Sequence, residues 1–270
     1  TAYAIRLSLV GSEMCIRDRI YRDLSEASLE EAVDAIVIAT PNHTHRDVLH
    51  AVAASHKPVL LEKPMATTLA DAMDIVSLAR DYPAVIQLGM QYRFKAQYVD
   101  ALQAVAAQSA LGQVKTVAMS EYRPPFLDKV DQWNKFNRNS GGTLVEKCCH
   151  YFDLINVVAQ SRARRVYASG GRAVNFLDFE WQGEPSDIDD HAMVIIDYDN
   201  GVRASFTLNM FCQELYEELV VVGERGRLVA SEQASFHPDT PSKAELLVEV
   251  PDHPAYLGVS VGYPDWIEAS

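Results

Sequence analysis

The apolar positions in the first third of the chain form three short continuous runs. They are Ala35–Ala39, Pro58–Leu61 and Ala84–Gly89. A short apolar run bounded by turn residues is typical of a strand that is buried on both faces of a sheet. Pro41 and Pro64 follow the first two runs, and a proline cannot continue the ladder of backbone hydrogen bonds. The pattern therefore predicts three short buried strands.

Segments with apolar residues at helical spacing alternate with these runs. Thr44–Ser55 is the first such segment, a second begins at Thr68, and a third spans Ala96–Leu111 and ends at Gly112. Asp71 follows Thr68 by three positions, which is a weaker form of the capping box at a helix start. Strands that alternate with helices predict βαβ units around a parallel sheet.

The second half of the chain follows a different pattern, with one helix among many strands. Val114–Tyr122 is predicted to form a strand, and Thr143–Ala159 is predicted to form one helix after Gly141-Gly142. Two pairs of strands flank short glycine-containing turns, as in β-hairpins: His191–Tyr198 with Val202–Leu208, and Leu219–Val222 with Arg227–Ala230. A helix packed on a mainly antiparallel sheet accounts for this pattern most simply.

The predicted fold class is therefore α/β, with two domains. Residues 1–93 are predicted to form an incomplete Rossmann-type parallel sheet domain. Residues 94–270 are predicted to form an α+β domain with a mainly antiparallel open sheet, truncated at its C-terminus. Leu7–Arg19 resembles a translated sequencing adapter, so we interpret residues 1–19 as an artefact rather than a first strand. The chain begins with Thr1 rather than Met, which also predicts a fragment.

Composition narrows the function classes. The net charge is −13, from 37 acidic residues against 24 lysines and arginines, which argues against nucleic acid as a partner. No apolar run approaches the ~20 residues that span a bilayer, so no membrane segment is expected. The cysteines are Cys15, Cys148, Cys149 and Cys212, and their spacing makes no disulfide framework. A cytoplasmic location is therefore expected.

Two of the predicted strands end in polar residues. Thr40-Pro41-Asn42-His43-Thr44-His45 follows the first strand, and Glu62-Lys63-Pro64 follows the second. Ligands of parallel α/β sheets bind at the carboxyl ends of the strands, so both segments are candidates for a site. Taken singly, each also has a structural explanation: the first could be a capped helix start, and the second a surface ion pair.

A third candidate lies on the predicted helix after Gly141-Gly142. His150 follows Glu146 by four positions, and Asp153 follows His150 by three. At helical spacing the three residues share one helix face. Glu146 is expected to contact one nitrogen of His150 and fix its tautomer, which leaves the other nitrogen for proton transfer. A metal site of Glu146, Cys148, Cys149 and His150 is disfavoured because Cys148 points away from that face, so no metal is predicted.

The three segments together resemble the Gfo/Idh/MocA oxidoreductases, the family of glucose–fructose oxidoreductase and inositol dehydrogenase. The resemblance covers roughly residues 20–250 and rests on Ala39–His45, Glu62-Lys63-Pro64, and Gly141-Gly142 with Glu146, His150 and Asp153. It departs from the family at Glu146, where Asp is common, and at Cys148, where Gly is common.

The resemblance implies an NAD(P)-dependent oxidoreductase that moves hydride between NAD or NADP and a sugar, inositol or related polyol. By that likeness, Lys63, His150 and Glu146 are catalytic. The implied cofactor-binding residues are Thr40, Pro41, Asn42, His45, Glu62, Lys63 and Arg93. Family members often form oligomers through the open sheet of the second domain, so a homo-oligomer is expected. An NAD-dependent glycoside hydrolase and a non-catalytic cofactor-binding protein remain as alternatives.

The chemistry suits those residue types. Oxidation of an alcohol removes the hydroxyl proton as hydride leaves the carbon. A neutral His150 can accept the proton, and an ammonium at Lys63 can stabilise the alkoxide. Lys63 could instead act as the base if its surroundings lowered its pKa, and the sequence leaves both roles open.

Two further expectations concern the ligands. No G-x-G-x-x-G motif occurs in the chain, so the chain as printed is expected to bind cofactor poorly. Polar and aromatic residues of the second domain are candidates for substrate contacts: Tyr122, Arg123, Trp133, Asn137 and His191.

Overall fold

The computed structural model describes residues 33–107, 111–234 and 242–250, and the backbone of residues 261–262. Residues 1–19, which the sequence predicts to be an artefact, lie outside the described residues. Within the described part, no helix combines the length and apolar character needed to cross a membrane.

A small parallel sheet forms from the three predicted strands. Its strands are β1 (Ile36–Ile38), β2 (Val59–Leu61) and β3 (Ile86–Leu88), paired in that order. Helix α1 (His45–Val52) lies between short 3-10 turns at Asn42–Thr44 and Ala53–Ser55, and α2 spans Leu69–Asp81. The predicted cap of α2 is confirmed, because Thr68 Oγ1 accepts a hydrogen bond from the Asp71 amide at 3.1 Å.

The three strands are buried on only one face. Ile38, Val59 and Leu61 are buried with residues of α1 and α2, whereas Val37 is 65% and Leu60 38% exposed. The prediction that these strands are buried on both faces is wrong for the described part of the chain. Alternate side chains of a strand point to opposite faces, and no described element covers the face of Val37 and Leu60.

The second sheet has eight strands in the described residues. They are β4 (Val114–Tyr122), β5 (Ala163–Gly171), β8 (His191–Tyr198), β9 (Arg203–Asn209), β10 (Leu215–Gly223), β11 (Arg227–Ala234), β12 (Lys243–Glu249) and β13 (Val261–Gly262). Their order is β13-β12-β11-β10-β4-β9-β8-β5, and only β4 and β9 pair in parallel. The strands β6 (Glu180–Trp181) and β7 (Glu184–Pro185) form a separate hairpin. Both predicted hairpins are confirmed, and so is the predicted fold class.

Two helices cover one face of this large sheet. They are α3 (Ala96–Ala106) and α6 (Cys149–Ala159). Tyr98, Tyr151, Leu154 and Phe206 are all fully buried between the helices and the sheet. The predicted helix Ala96–Leu111 is shorter than expected, because its described part ends at Ala106; residues 108–110 lie outside the described residues.

The predicted single helix Thr143–Ala159 is broken. It consists of α5 (Thr143–Glu146) and α6, and it follows a one-turn helix α4 (Asn137–Ser140). The Cys148 amide bonds to the Thr143 carbonyl five residues earlier, and a new helix starts as the Tyr151 and Phe152 amides bond to the Cys148 carbonyl. The break separates Glu146, at the end of α5, from His150 in the first turn of α6.

Candidate active site

The polar segments after β1 and β2 meet at the carboxyl edge of the small sheet. Thr40 and Pro41 are exposed there, and Glu62 and Lys63 are partly exposed. Glu62 lies over Gly89 at the end of β3, since a Cβ added to Gly89 would be 3.3 Å from Glu62 Oε2. The parallel pairing of β1 with β2 therefore brings together Thr40–His45 and Glu62-Lys63-Pro64, which are separate in the sequence.

His45 joins the segments after β1 and β2 from the inside. Its side chain is buried, with Nδ1 2.8 Å from the Pro64 carbonyl oxygen and Nε2 3.0 Å from the Thr40 carbonyl oxygen. Both ring nitrogens of His45 therefore face backbone carbonyl oxygens, which are acceptors only. The role of His45 as a cofactor contact stays a prediction.

Asn42 is also buried, and its Nδ2 donates to the Ser140 carbonyl at 3.1 Å. This bond ties the segment after β1 to the end of α4. The role of Asn42 as a cofactor contact likewise stays a prediction.

The backbone after α4 comes close to the turn that follows Lys63-Pro64. Gly141 has φ of +82°, and a Cβ there would lie 2.8 Å from Val145 Cγ1 and 3.1 Å from Thr67 Cα. Only glycine meets both demands without strain. This close approach brings α5 next to Lys63.

Lys63 contacts Glu146 directly. Its Nζ donates to the Glu146 backbone carbonyl at 3.0 Å and lies 3.6 Å from the carboxylate oxygen Oε1. Both side chains are largely buried, at 18% and 12% exposure. The structure thus places these two predicted catalytic residues side by side.

His150 lies one turn after Glu146, but the expected hydrogen bond between them is absent among the described residues. The prediction of that contact is wrong, because the Glu146 carboxylate pairs with the Lys63 ammonium instead. His150 is 2% exposed, and its Nδ1 has no hydrogen-bond partner within the described chain. Burial, reinforced by the charges of Lys63 and Lys147, lowers the pKa of His150 to about 3. The imidazole is therefore neutral at physiological pH.

The ring of His150 stacks on Tyr92, with centroids 4.2 Å apart and planes at 7°. The Tyr92 hydroxyl accepts a hydrogen bond from Lys147 Nζ at 2.6 Å. Lys147 Nζ also lies 3.3 Å from Glu121 Oε1. Burial opposes the charge of Lys147, but Glu121 raises its pKa above the ordinary value, so the ammonium persists.

Three glutamates form a row across neighbouring strands behind this stack, which we call the glutamate row: Glu121, Glu217 and Glu232. Glu217 lies directly opposite Glu121 on one side and Glu232 on the other. Lys95 forms ion pairs with both Glu217 and Glu232. Burial raises the pKa of Glu217, but Lys95 and Lys147 outweigh it and bring the pKa to about 2. Glu217 is therefore charged, whereas burial raises the pKa of Glu232 above its ordinary value even though Lys95 opposes this.

Arg93 pairs with Asp153 through two hydrogen bonds of 2.6 Å each. The pair fixes the 3-10 turn Gln91–Phe94 against α6, next to the stack of Tyr92 on His150. Asp153 therefore contacts Arg93, whereas the sequence placed it on a shared face with Glu146 and His150.

Two of the candidates for substrate contacts, Tyr122 and His191, lie close together where strands β4 and β9 of the large sheet end and β8 begins. Tyr122 and His191 lie on either side of Asn209 in the strand register. Asp190 accepts from His191 Nδ1 at 2.8 Å, or pairs with it when the ring is protonated. Arg123 lies 3.6 Å from Glu121, and Asn137 bonds to Asp187 in the loop that leads to His191. Trp133 lies in the 3-10 turn Val130–Lys135.

Two family models match the chain. One, described as the GFO/IDH/MocA C-terminal domain, matches residues 99–229. The other, described as an oxidoreductase family with an NAD-binding Rossmann fold, matches residues 12–90. The chain belongs to the Gfo/Idh/MocA oxidoreductase family. The resemblance found in the sequence is thereby confirmed.

Curated relatives of this Gfo/Idh/MocA chain include inositol dehydrogenases. Myo-inositol 2-dehydrogenase of Thermotoga maritima is 24% identical over 216 residues, which cover 79% of this chain and 61% of that protein. The scyllo-inositol 2-dehydrogenase (NAD(+)) of Bacillus subtilis is 25% identical over 199 residues, or 73% of this chain and 54% of that protein. The chain thus spans 61% and 54% of the lengths of these relatives.

Solved structures share its fold. Levoglucosan dehydrogenase in complex with NADH and levoglucosan superposes with a TM-score of 0.68 at 19% identity, covering 90% of this chain and 65% of that one. GenD2 from gentamicin A biosynthesis, in complex with NAD, gives a TM-score of 0.67 at 24% identity, covering 79% of this chain and 58% of that one.

In this Gfo/Idh/MocA chain, sequence reasoning missed Tyr92, Lys95, Lys147 and the glutamate row. A usable signal existed in the strands. Glu121 follows Val117 and Met119 on the inward face of β4, and Glu217 precedes Leu219 and Val221 on that of β10. An acid at an inward position of a strand is unusual and indicates a buried charged partner.

Proposed function

We propose that this protein is an NAD(P)-dependent dehydrogenase that oxidises a CH–OH group of a sugar, inositol or related polyol, or reduces the corresponding carbonyl. The observation that carries the proposal is the contact of Lys63 with Glu146, one turn before the neutral, buried His150. The site therefore holds an ammonium and a neutral imidazole. The ammonium suits stabilisation of an alkoxide, and the imidazole suits acceptance of the alcohol proton. Membership of an oxidoreductase family and the inositol dehydrogenases among its relatives support the same reaction.

The carboxyl edge of the small sheet fits the nicotinamide end of NAD or NADP. Thr40 and Pro41 are exposed there, and Gly89 has no side chain to fill the space beside Glu62. We assign Thr40, Pro41, Glu62 and Lys63 to contacts with the cofactor. Arg93 would approach it from the turn after β3, and Asn42 and His45 would hold the backbone of the same edge. A bound nicotinamide would supply the hydride acceptor.

His150 and Lys63 divide the proton chemistry in this proposal. The imidazole is neutral at all pH values well above about 3, so it is available to accept the hydroxyl proton. A group with so low a pKa is a weak base, and it needs a substrate hydroxyl that has itself been made more acidic. The Lys63 ammonium provides this by stabilising the developing alkoxide. Glu146 holds the ammonium in place through its carbonyl and carboxylate.

We further propose that a second copy of this chain covers the outer face of the large sheet. Tyr167, Met193 and Ile195 are 54%, 67% and 52% exposed, and Tyr167 lies directly opposite Ile195. Ser205 and Ala118 extend this row as small side chains. A contiguous apolar surface with small residues suits the close approach of an identical sheet. Sedimentation equilibrium tests this second-copy proposal: Ile195→Glu is expected to shift a dimer to monomer, and a monomeric unchanged protein would contradict it.

The free cysteines Cys148, Cys149 and Cys212 are compatible with a cytoplasmic setting, which stays a prediction.

The reaction is tested by cofactor absorbance with inositols, aldoses and other polyols, using NAD and NADP in turn. Cofactor concentrations are raised, because the chain as printed is expected to bind cofactor weakly. Turnover that is lost in Lys63→Met and in His150→Gln supports the proposal. Lys115→Met is the matched control. Lys115 is half exposed, pairs with Glu224, and lies at the start of β4, whereas Glu121 of the site lies near its end.

Two outcomes would favour the alternative functions. Release of free sugar from a glycoside without a net change in cofactor absorbance would indicate an NAD-dependent glycoside hydrolase. Cofactor binding by calorimetry without turnover of any substrate, unchanged in Lys63→Met, would indicate a non-catalytic binding protein.

A further inference from the structure

The buried imidazole of His150 lacks the hydrogen bond that usually orients a catalytic histidine. Its Nδ1 has no partner among the described residues, and Glu146 faces Lys63. A ring without such a bond can rotate about its side-chain torsions, and a rotation moves the proton-accepting nitrogen. Among the described ring contacts of His150, the nearly parallel stack on Tyr92 restricts this rotation, because a flat ring against a flat ring allows few orientations.

Tyr92 is itself held from several directions. Lys147 donates to its hydroxyl at 2.6 Å, and Lys95 Nζ lies 4.2 Å from its ring centroid. The rings of Tyr98 and Tyr151 contact it at centroid distances of 6.2 Å and 5.6 Å. The ring is therefore fixed at its polar tip as well as along its body.

The glutamate row fixes the two lysines in turn. Carboxylates directly opposite one another on neighbouring strands repel, so the row is stable only with cations beside it. Lys147 pairs with Glu121, and Lys95 pairs with both Glu217 and Glu232. Because these glutamates belong to a hydrogen-bonded sheet, they hold the lysines, and the lysines hold Tyr92, at fixed positions.

We propose that Tyr92 is a positioning residue for His150, and that the glutamate row supports the Tyr92 ring through Lys95 and Lys147, whose Nζ atoms lie 4.2 Å and 4.9 Å from the ring centroid. The proposal rests on the proposed dehydrogenase function only for its catalytic consequence. The stack needs the ring of Tyr92 rather than its hydroxyl, so phenylalanine replaces it and leucine does not.

The structural part is tested by proton NMR of the histidine rings, with the His150 signals identified by their absence in His150→Gln. We expect a cross-peak between the Tyr92 and His150 ring protons in the unchanged protein, and His150 signals shifted upfield by the stacked ring. Tyr92→Phe keeps the upfield shift and Tyr92→Leu loses it. Absence of the cross-peak in the unchanged protein overturns the proposal even if Tyr92→Leu does not fold.

The catalytic part is tested by steady-state kinetics on the substrate that the protein turns over. Tyr92→Leu is expected to lower kcat on the order of tenfold to a hundredfold with little change in KM, because the proton acceptor is misplaced. Tyr92→Phe is expected to stay within a few-fold of the unchanged protein. Equal losses in both variants would overturn the proposal, since they would assign the effect to the hydroxyl.

Tyr82→Phe and Tyr82→Leu are the matched controls. The Tyr82 hydroxyl also donates to protein, to the Lys57 carbonyl at 2.7 Å, but Tyr82 packs against the core of the small sheet. Neither variant is expected to move the His150 signals or kcat. If no substrate is turned over, the proposed function fails, and the NMR measurements still decide whether Tyr92 orients His150.

Discussion

The Lys63 ammonium donates a hydrogen bond to the backbone carbonyl of Glu146, which lies 83 positions later in the chain, at 3.0 Å. This bond joins the turn after the small parallel sheet to the short helix that precedes α6. The Asn42 bond to Ser140 and the close approach of Gly141 to Thr67 join the same two regions. Residues from both halves of the chain therefore build one site.

Removing the charge of Lys63 is expected to change both turnover and the titration of His150. In Lys63→Met, kcat falls on the order of a hundredfold to a thousandfold, because the alkoxide loses its stabilising ammonium. The pKa of His150 rises, because the Lys63 charge is one of the causes that lower it. NMR titration of the His150 ring measures this rise, and Lys115→Met should leave it unchanged. A His150 pKa that does not rise in Lys63→Met would contradict the arrangement.

The depressed pKa of His150 makes folding stability depend on pH. The group binds a proton near pH 6.5 in the unfolded chain but only near pH 3 in the folded one, so the unfolded state holds more protons between these values. The stability that the neutral His150 contributes to the free energy of unfolding is fully present above pH 6.5. It is lost as the pH falls from 6.5 toward 3, by up to about 1.4 kcal/mol per pH unit.

Urea unfolding of the protein and of His150→Gln across this range isolates that contribution. Glu217 and Asp190 also have lowered pKa values and add their own acid dependence, which is common to both proteins. The difference in free energy of unfolding is therefore the relevant quantity. The interpretation fails if the two proteins lose stability in parallel.

Lys95→Met is expected to destabilise the fold strongly. It leaves two buried carboxylates, Glu217 and Glu232, without their shared cation. Breaking a buried ion pair by removing one partner costs about 3–5 kcal/mol. The double variant Lys95→Met with Glu217→Gln should recover part of the loss, because it removes one of the unpaired charges. Thermal unfolding of the three proteins checks this order, and no recovery in the double variant would argue against it.

Gly141→Ala is expected to cost more stability than Gly201→Ala. Both glycines have positive φ, at +82° and +89°, so both substitutions carry a backbone strain of about 1–2 kcal/mol. Only at Gly141 does the added methyl group meet other atoms, namely Val145 and Thr67, whereas nothing lies within 4 Å at Gly201. The extra overpacking is worth about 1–3 kcal/mol. Denaturant midpoints that are equal for the two variants would show that the close approach is unimportant.

The sequence predicted most of the local structure of this chain. Each of the three apolar runs contains a strand, Val114–Tyr122 has the predicted bounds, and Thr68 caps its helix. These features follow from the spacing of apolar residues and from turn chemistry, which act over a few positions. The resemblance carried by Glu62-Lys63-Pro64 and by Glu146 with His150 identified the family correctly for the same reason, because each motif is contiguous or nearly so.

The partners of those residues came only from the tertiary structure. Helical spacing placed Glu146 against His150, but the charge of Lys63, which is distant in the chain, gave Glu146 a different partner. Tyr92 came to stack on His150, and Arg93 to pair with Asp153, through packing across some 60 residues of chain. The sequence by itself determined which chemical groups are present and on which elements. The packing of the elements decided which groups meet, because burial and charge pairing depend on neighbours that are distant along the chain.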